Sequence, residues 1–315
     1  MGEIHDLVIR HGRTEARKRV PTEQKRLIDL AAEILGDEEG SIAYMYSGFA
    51  MTTLPHRPLP DNDIWERKNG RLSLIVEPGV LPENGVAKKY GVPYGSRARL
   101  IMFYLQTEAI KTRSRVIRLG NSMTDWMVRM GINPGGSNFN AVRDQTRRLS
   151  ACRLTVGWMA DDGSNGFQRE NIVSAMINPP PDGDPRQGRF WEETAELSEG
   201  FYQALLQHPV PCEEKAIRLI QNSSTVIDIY IWLCYRLHAL KAPVMVPWVK
   251  LHEQFGLQYK TVRQFKPRFL DSLREAVAVY PDANIEVLPE GVKLRPSPPA
   301  IRDRRSYAVL LPPAG

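Results

Sequence analysis

The stretch SMTDWMVRMGINPGGSNFNAVRDQTRRLSA, residues 122–151, constrains the fold more than any other part of the chain. Ser122, with Asp125 three positions on, marks a helix start. Met123, Trp126, Met127 and Met130 then fall at the i, i+3, i+4, i+7 spacing that lines one helix face. Gly131 stops this helix, the turn INPGGS follows, and a further helix is expected from about Asn138 to Ala151. Upstream, Ser96 is placed to cap a helix from Arg97 to about Ile110, with Leu100, Phe103, Tyr104 and Ile110 inward, and Val116 to Leu119 reads as a short strand. Downstream, the β-prone runs Leu154–Trp158 and Asn171–Ile177 flank the polar stretch ADDGSNGFQRE. Helix, strand, helix, turn, helix, long hairpin is the order of a winged helix, with the hairpin as its wing.

A similar order returns later. Val249 to Phe255 reads as a helix, Gly256 as a turn, and Tyr259 to Tyr280 as a long amphipathic segment with Val262, Phe265, Phe269, Leu273, Ala276 and Val277 inward. Ile285–Leu288 and Val292–Arg295 form a hairpin across PEG. Pro267 removes a bond to the carbonyl of Arg263, so a kink, or two helices meeting, is expected there. Ahead of this unit come a strand at Thr194–Leu197, short helices at Phe201–Leu206 and Glu213–Leu219, and a helix at Thr225–Leu240 with an unbroken apolar stripe. The proline-rich connector NPPPDGDPRQGR, residues 178–189, separates the two halves.

Residues 10 to 26 are basic, and Thr22 is placed to cap a helix from Glu23 to Leu35. The lead is either a solvated segment or an arm that contacts DNA. Ile42–Thr53 and Arg71–Val76 are β-prone and suited to a hairpin used in dimer contact, separated by a loop with Pro55, Pro58 and Pro60. The expected class is α+β, mainly helical, with two tandem winged-helix domains. A basic arm and helix covers 1–40, a first winged-helix domain with a small N-terminal sheet 41–180, a second winged-helix domain 190–300, and a disordered tail 301–315.

The net charge of +6 is weak evidence for an anionic partner, and local clustering says more. Between Arg97 and Arg153 eleven basic side chains face only Glu108, Asp125 and Asp144, whereas Glu192 to Glu214 is acidic. On the 138–151 helix Val142 and Leu149 point inward, while Arg143 and Arg147 stand one turn apart on a polar face that begins near Asn138 and Asn140. Arginine can bridge guanine O6 and N7, and asparagine can do the same for adenine, so such a helix can read base edges. Arg148 and Arg153 suit phosphates, and Arg97 and Arg99 belong to the same basic segment. The plain alternative is a solvated face with an Asp144–Arg148 pair. In the second unit Lys260, Arg263, Lys266 and Arg268 decorate the long helix, and a basic solvated face is again the alternative.

Catalytic and cofactor signals are missing. There is no GxxxxGK[ST], GxSxG or HExxH motif, and the six histidines show no metal-ligand spacing or nicking-enzyme pair. Asp61 with Asp63 and Asp182 with Asp184 read as turn residues, and Cys152 as a small core residue. Three scattered cysteines point to reduced thiols in a cytoplasm, and the N-terminus lacks the apolar core of a signal peptide. No enzyme, cofactor, metal or membrane partner is expected.

The motifs resemble those of RepA-type plasmid replication initiators. The resemblance rests on GVPYGSRARLIMFYLQTEA (91–109), IRLGNSMTDWMVRMGI (117–132), the PGG turn (134–136) and RDQTRRL (143–149). It continues in ELSEGFYQALLQHPVP, STVIDIYIWLCYRLHAL and GVKLRPSPPAI, covering roughly residues 90 to 301. It implies tandem winged helices that bind repeated double-stranded sites at a plasmid origin and help open the adjacent duplex. It also implies a homodimer that represses its own promoter, active monomers, and contacts with host helicase or initiator proteins. Asn140, Arg143, Arg147 and Arg148 match the first recognition helix, and Arg263, Lys266 and Arg268 fall on the second. A transcriptional repressor without an initiator role is the competing reading.

Overall fold

The computed structural model describes residues 2–37, 40–83, 85–160, 162–176 and 193–301. The connector at 178–189, the Asp182–Asp184 pair and the tail from 302 onward lie outside the described residues. In chain order the elements begin with α1 (Glu3–Lys18), α2 (Lys25–Leu35), β1 (Ile42–Tyr46), α3 (Gly48–Met51), β2 (Trp65–Asn69), β3 (Leu72–Glu77), β4 (Gly79–Glu83) and β5 (Val86–Tyr90). There follow α4 (Gly95–Thr112), β6 (Val116–Gly120), α5 (Met123–Arg129), α6 (Gly136–Ala151), β7 (Arg153–Met159), β8 (Asn165–Asn171), β9 (Val173–Met176) and β10 (Glu193–Leu197). The chain continues through α7 (Glu199–Gln207), β11 (Pro209–Glu213), α8 (Glu214–Ile220), α9 (Ser224–Leu237), β12 (Val244–Pro247), α10 (Trp248–Phe255), α11 (Val262–Ala278), β13 (Ile285–Leu288) and β14 (Gly291–Leu294). It is a mixed fold of helices and small antiparallel sheets, and among the described residues no helix is long and apolar enough to cross a membrane.

Two compact units divide the chain: Tyr44–Pro209 forms one, and Met1–Ala43 joins Val210–Gly315 in the other. In the 44–209 unit, α4 packs against α6, and a four-stranded sheet runs in the order β2-β3-β7-β8. Ser122 caps α5 by accepting the amide of Asp125 at 3.1 Å, and Gly131 turns the chain out of it at φ 72°. The expected helix, strand, helix, turn, helix, hairpin order is present as α4, β6, α5, α6 and the β7–β8 pair.

Several boundaries differ from expectation. Ser96 lies inside α4, whose N-cap is Tyr94, and α6 begins at Gly136 rather than Asn138. The hairpin returns through Asn165–Asn171, within the stretch read as a loop, while Val173–Met176 joins a separate sheet with β10 and β6. β8 is an edge strand with mostly exposed positions, so it lacks the apolar alternation that marks half-buried strands. The segments at 42–53 and 71–76 do not pair as a hairpin: β3 lies between β2 and β7. The β4–β5 hairpin and β12 were not anticipated.

In the other unit the basic lead is helical. α1 packs on α2, Arg13 donates to Asp29 and Glu33 at 2.9 Å each, and Arg17 also pairs with Asp29. Two helical pieces of α1 meet at Gly12, which takes φ 70° and ψ 167°. Thr22 opens a short 3-10 turn and does not cap α2 through its side chain. His5, nearly buried, ties α1 to the end of α11 through the carbonyl of Ala278 at 3.0 Å. The core centres on α9 and α11 and carries a run of aromatic contacts: Phe265–Phe269 centroids lie 5.0 Å apart, Phe255–Phe269 5.6 Å and Trp232–Phe255 5.5 Å. The sheet places β14 between β12 and β13.

Pro267 does not divide the long helix in two. α11 runs continuously from Val262 to Ala278. The proline sits in its second turn on the exposed side, so one carbonyl, that of Arg263, loses a partner where water can reach it.

Candidate nucleic-acid interface

α6 buries one face and shows another. Val142, Gln145, Thr146 and Leu149 are buried at helical spacing, which leaves Asn140 and Arg143 exposed and Arg147 half-exposed. Gln145 fixes the helix against its neighbour, since its Oε1 accepts the amide of Tyr94 at 2.8 Å. The Arg143 guanidinium lies 4.9 Å from the Phe139 ring centroid, which steadies an otherwise exposed side chain.

The other arginines of the segment differ in what they hold. Arg99 is 2% exposed and donates to the carbonyls of Leu54, Pro55 and Gly95, so it braces the start of α4 and does not face solvent. Arg97 is partly buried and donates to Asn138 Oδ1 at 2.9 Å, while Asn138 Nδ2 donates to the carbonyl of Asn133. Both side chains thus shape the turn before α6. Burial also pulls the Arg97 guanidinium below its ordinary pKa. Arg148 is 13% exposed and bonded to Asp144 at 2.9 Å and Asp61 at 3.0 Å. Burial works against its charge, but the hydrogen bonds it donates to those carboxylates, and their negative charge, more than offset this, and its pKa is raised. The Asp144–Arg148 pair foreseen as the plain alternative is therefore formed. Arg153 is exposed at the start of β7, and Arg115 and Arg129 are paired with Glu196 and Asp125.

Arg147 pairs with Glu83 at the end of β4. The same carboxylate accepts from Lys88 Nζ at 2.8 Å and the Tyr90 hydroxyl at 2.9 Å, and these bonds hold it below the usual carboxylate range. Lys88, Lys89 and Tyr90 of β5 share an open depression with Asn140, Arg143 and Arg147. None of these hairpin residues was singled out from sequence, although Asn84-Gly85 is a strong hairpin-turn signal and Gly85 takes φ 77°.

In the second unit Lys260, Arg263 and Arg268 are exposed and have no ion-pair partner among the described residues. Lys266 lies 4.5 Å above the Trp248 ring centroid, beside the β13–β14 turn. Thr261 caps α11 by accepting the amide of Gln264 at 3.3 Å, which sets the register of these side chains.

Residues 92–245 match the family of the plasmid encoded RepA protein. The RepA-type resemblance is borne out. The RepA match begins just before α4 and ends in β12, so it takes in α5, α6 and the β7–β8 hairpin. No curated protein matches the chain significantly. Among solved structures, the chain is similar to crystallised domains 2 and 3 of RctB in a selenomethionine derivative, with 14% identity and a TM-score of 0.49 over 73% of this chain and 84% of that one. A second structure of RctB domains 2–3 gives 13% identity and a TM-score of 0.47, covering 84% of this chain and 100% of that one.

Proposed function

We propose that this chain is a plasmid replication initiator that binds repeated double-stranded sites at an origin through two winged helices. In this reading α6 enters the major groove in the first winged helix and α11 does so in the second. Asn140, Arg143 and Arg147 face base edges, and Arg153, Lys260, Arg263, Lys266 and Arg268 supply contacts to the backbone or bases. The observation that carries the reading is that the RepA match falls on the segment whose α6 presents Asn140 and Arg143 outward. Arg99 and Arg148 take supporting roles, because their donors are spent inside the unit. Binding would bend and open adjacent AT-rich duplex without catalysis or cofactor. A dimeric form would repress the chain's own promoter, and host helicase or initiator proteins would join at the opened origin.

The test is footprinting of the purified full chain across the DNA that carries its gene. Protection of direct repeats beside an AT-rich stretch is expected. Protection confined to a promoter would overturn the initiator role in favour of a repressor, and no protection anywhere would overturn DNA recognition itself.

A further inference from the structure

The β4–β5 hairpin belongs to no larger sheet, yet it is fastened to α6 at two points. At its base, a β-carbon on Gly79 would collide with the carbonyl of Ala151, so only glycine allows the strand to press against the end of α6. At its tip, Glu83 binds Arg147 of α6 while also holding Lys88 and Tyr90. Between hairpin and helix lies an open depression of about 310 Å³ with Lys88 and Lys89 on one side and Arg143 and Arg147 on the other. Both lysines are exposed, and Lys89 has no ion-pair partner among the described residues. The carboxylates that line the depression, Asp61 and Asp144, are engaged by Arg148.

We propose that this hairpin is a second DNA-contacting element, in which Lys88 and Lys89 take backbone phosphates of the duplex that receives α6. The inference rests on the reading of α6 as a groove-facing helix. A lysine ammonium is a point charge on a flexible stem, suited to phosphate and poorly suited to bidentate base reading. Lys88 carries three donors, so it can keep Glu83 and still bind a phosphate oxygen. Glu83 is then a strut: it fixes the spacing between the phosphate-binding hairpin and Arg147.

The experiment is fluorescence anisotropy of the full chain on two probes, a random-sequence duplex and the duplex it protects in footprinting, titrated over a range of salt. The Lys88→Ala/Lys89→Ala variant should flatten the plot of log affinity against log salt by about 1.8, two contacts at about 0.9 each, and should weaken both probes alike. Lys88→Arg/Lys89→Arg should restore the wild-type slope. A wild-type slope in the double alanine variant would overturn the hairpin's role and leave that of α6 standing. Absence of binding by the wild-type chain would overturn both. Both lysines are exposed, so the variants should melt at the wild-type temperature, which thermal melting checks.

Discussion

Gln145 on α6 accepts the backbone amide of Tyr94 at 2.8 Å, and so supplies from one helix the cap that another lacks. Its Nε2 also donates to Asp144 at 2.8 Å, linking this buried cap to the Arg148 ion pair. Gln145→Leu keeps the volume and strands the Tyr94 amide. Stability should fall by about 1–3 kcal/mol, the cost of a buried donor left without a partner. Urea unfolding checks this; an unchanged midpoint would mean that water replaces the bond.

His56 makes stability depend on pH. Its Nε2 is shut off from solvent, and burial, followed by the nearby charges of Arg99 and Arg67, drives its pKa well below the ordinary histidine value. The unfolded chain therefore binds more protons than the folded one as pH falls below about 6.5, and stability declines in that direction. The slope attributable to this group approaches about 1.4 kcal/mol per pH unit. Unfolding of wild type and His56→Gln between about pH 7 and pH 5 isolates it, because carboxylates titrate lower. Equal slopes in the two proteins would assign the dependence to other groups.

The arginines of α6 should separate by role. Arg143→Ala removes an exposed guanidinium and should cost about 1–3 kcal/mol on the preferred site, with a smaller loss on random duplex. Arg147→Ala should behave similarly. Arg148→Ala should instead lower the melting temperature, because it leaves Asp144 and Asp61 without their shared partner. Anisotropy and thermal melts on the three variants, run side by side, decide the assignment; loss of site preference in the Arg148 variant at full stability would contradict it.

Two basic surfaces should give steep salt dependence. With about 6–10 phosphate contacts, affinity should drop roughly 10³–10⁵-fold between about 50 and 200 mM salt. Opening should also need superhelical strain, so permanganate should find reactive thymines beside the repeats in supercoiled but not linear DNA. A flat salt response would count against the basic surfaces, and thymine reactivity on linear DNA against the need for strain.

Local signals were legible and tertiary ones were not. The Ser122 cap, the Gly131 stop and the apolar face between them all act within a few residues, so α5 could be read directly. The stripe of α9 was equally plain, since its buried residues run from Val226 to Leu237. β8 was missed because both its faces are largely exposed and its composition is polar. The basic character of Arg99 was visible, but its burial depends on carbonyls of Leu54 and Pro55, supplied by a distant loop. The hairpin beside α6 had its Asn-Gly turn in view, yet four of the five residues in its second strand are exposed and offer no core pattern.

The division of the chain at 43/44 and 209/210 has a consequence for synthesis. α2 leaves the ribosome before the 44–209 unit, with Leu27, Ile28, Leu30, Ala31, Ile34 and Leu35 on the face it will bury. One of its partners, α11, is translated long after the whole 44–209 unit has appeared. At about 5–20 residues per second, even the resumption of that unit at Val210 comes roughly 8–33 s later. During that interval the part of the α2 face that α11 will cover stays open, a sticky surface that must wait for its partner.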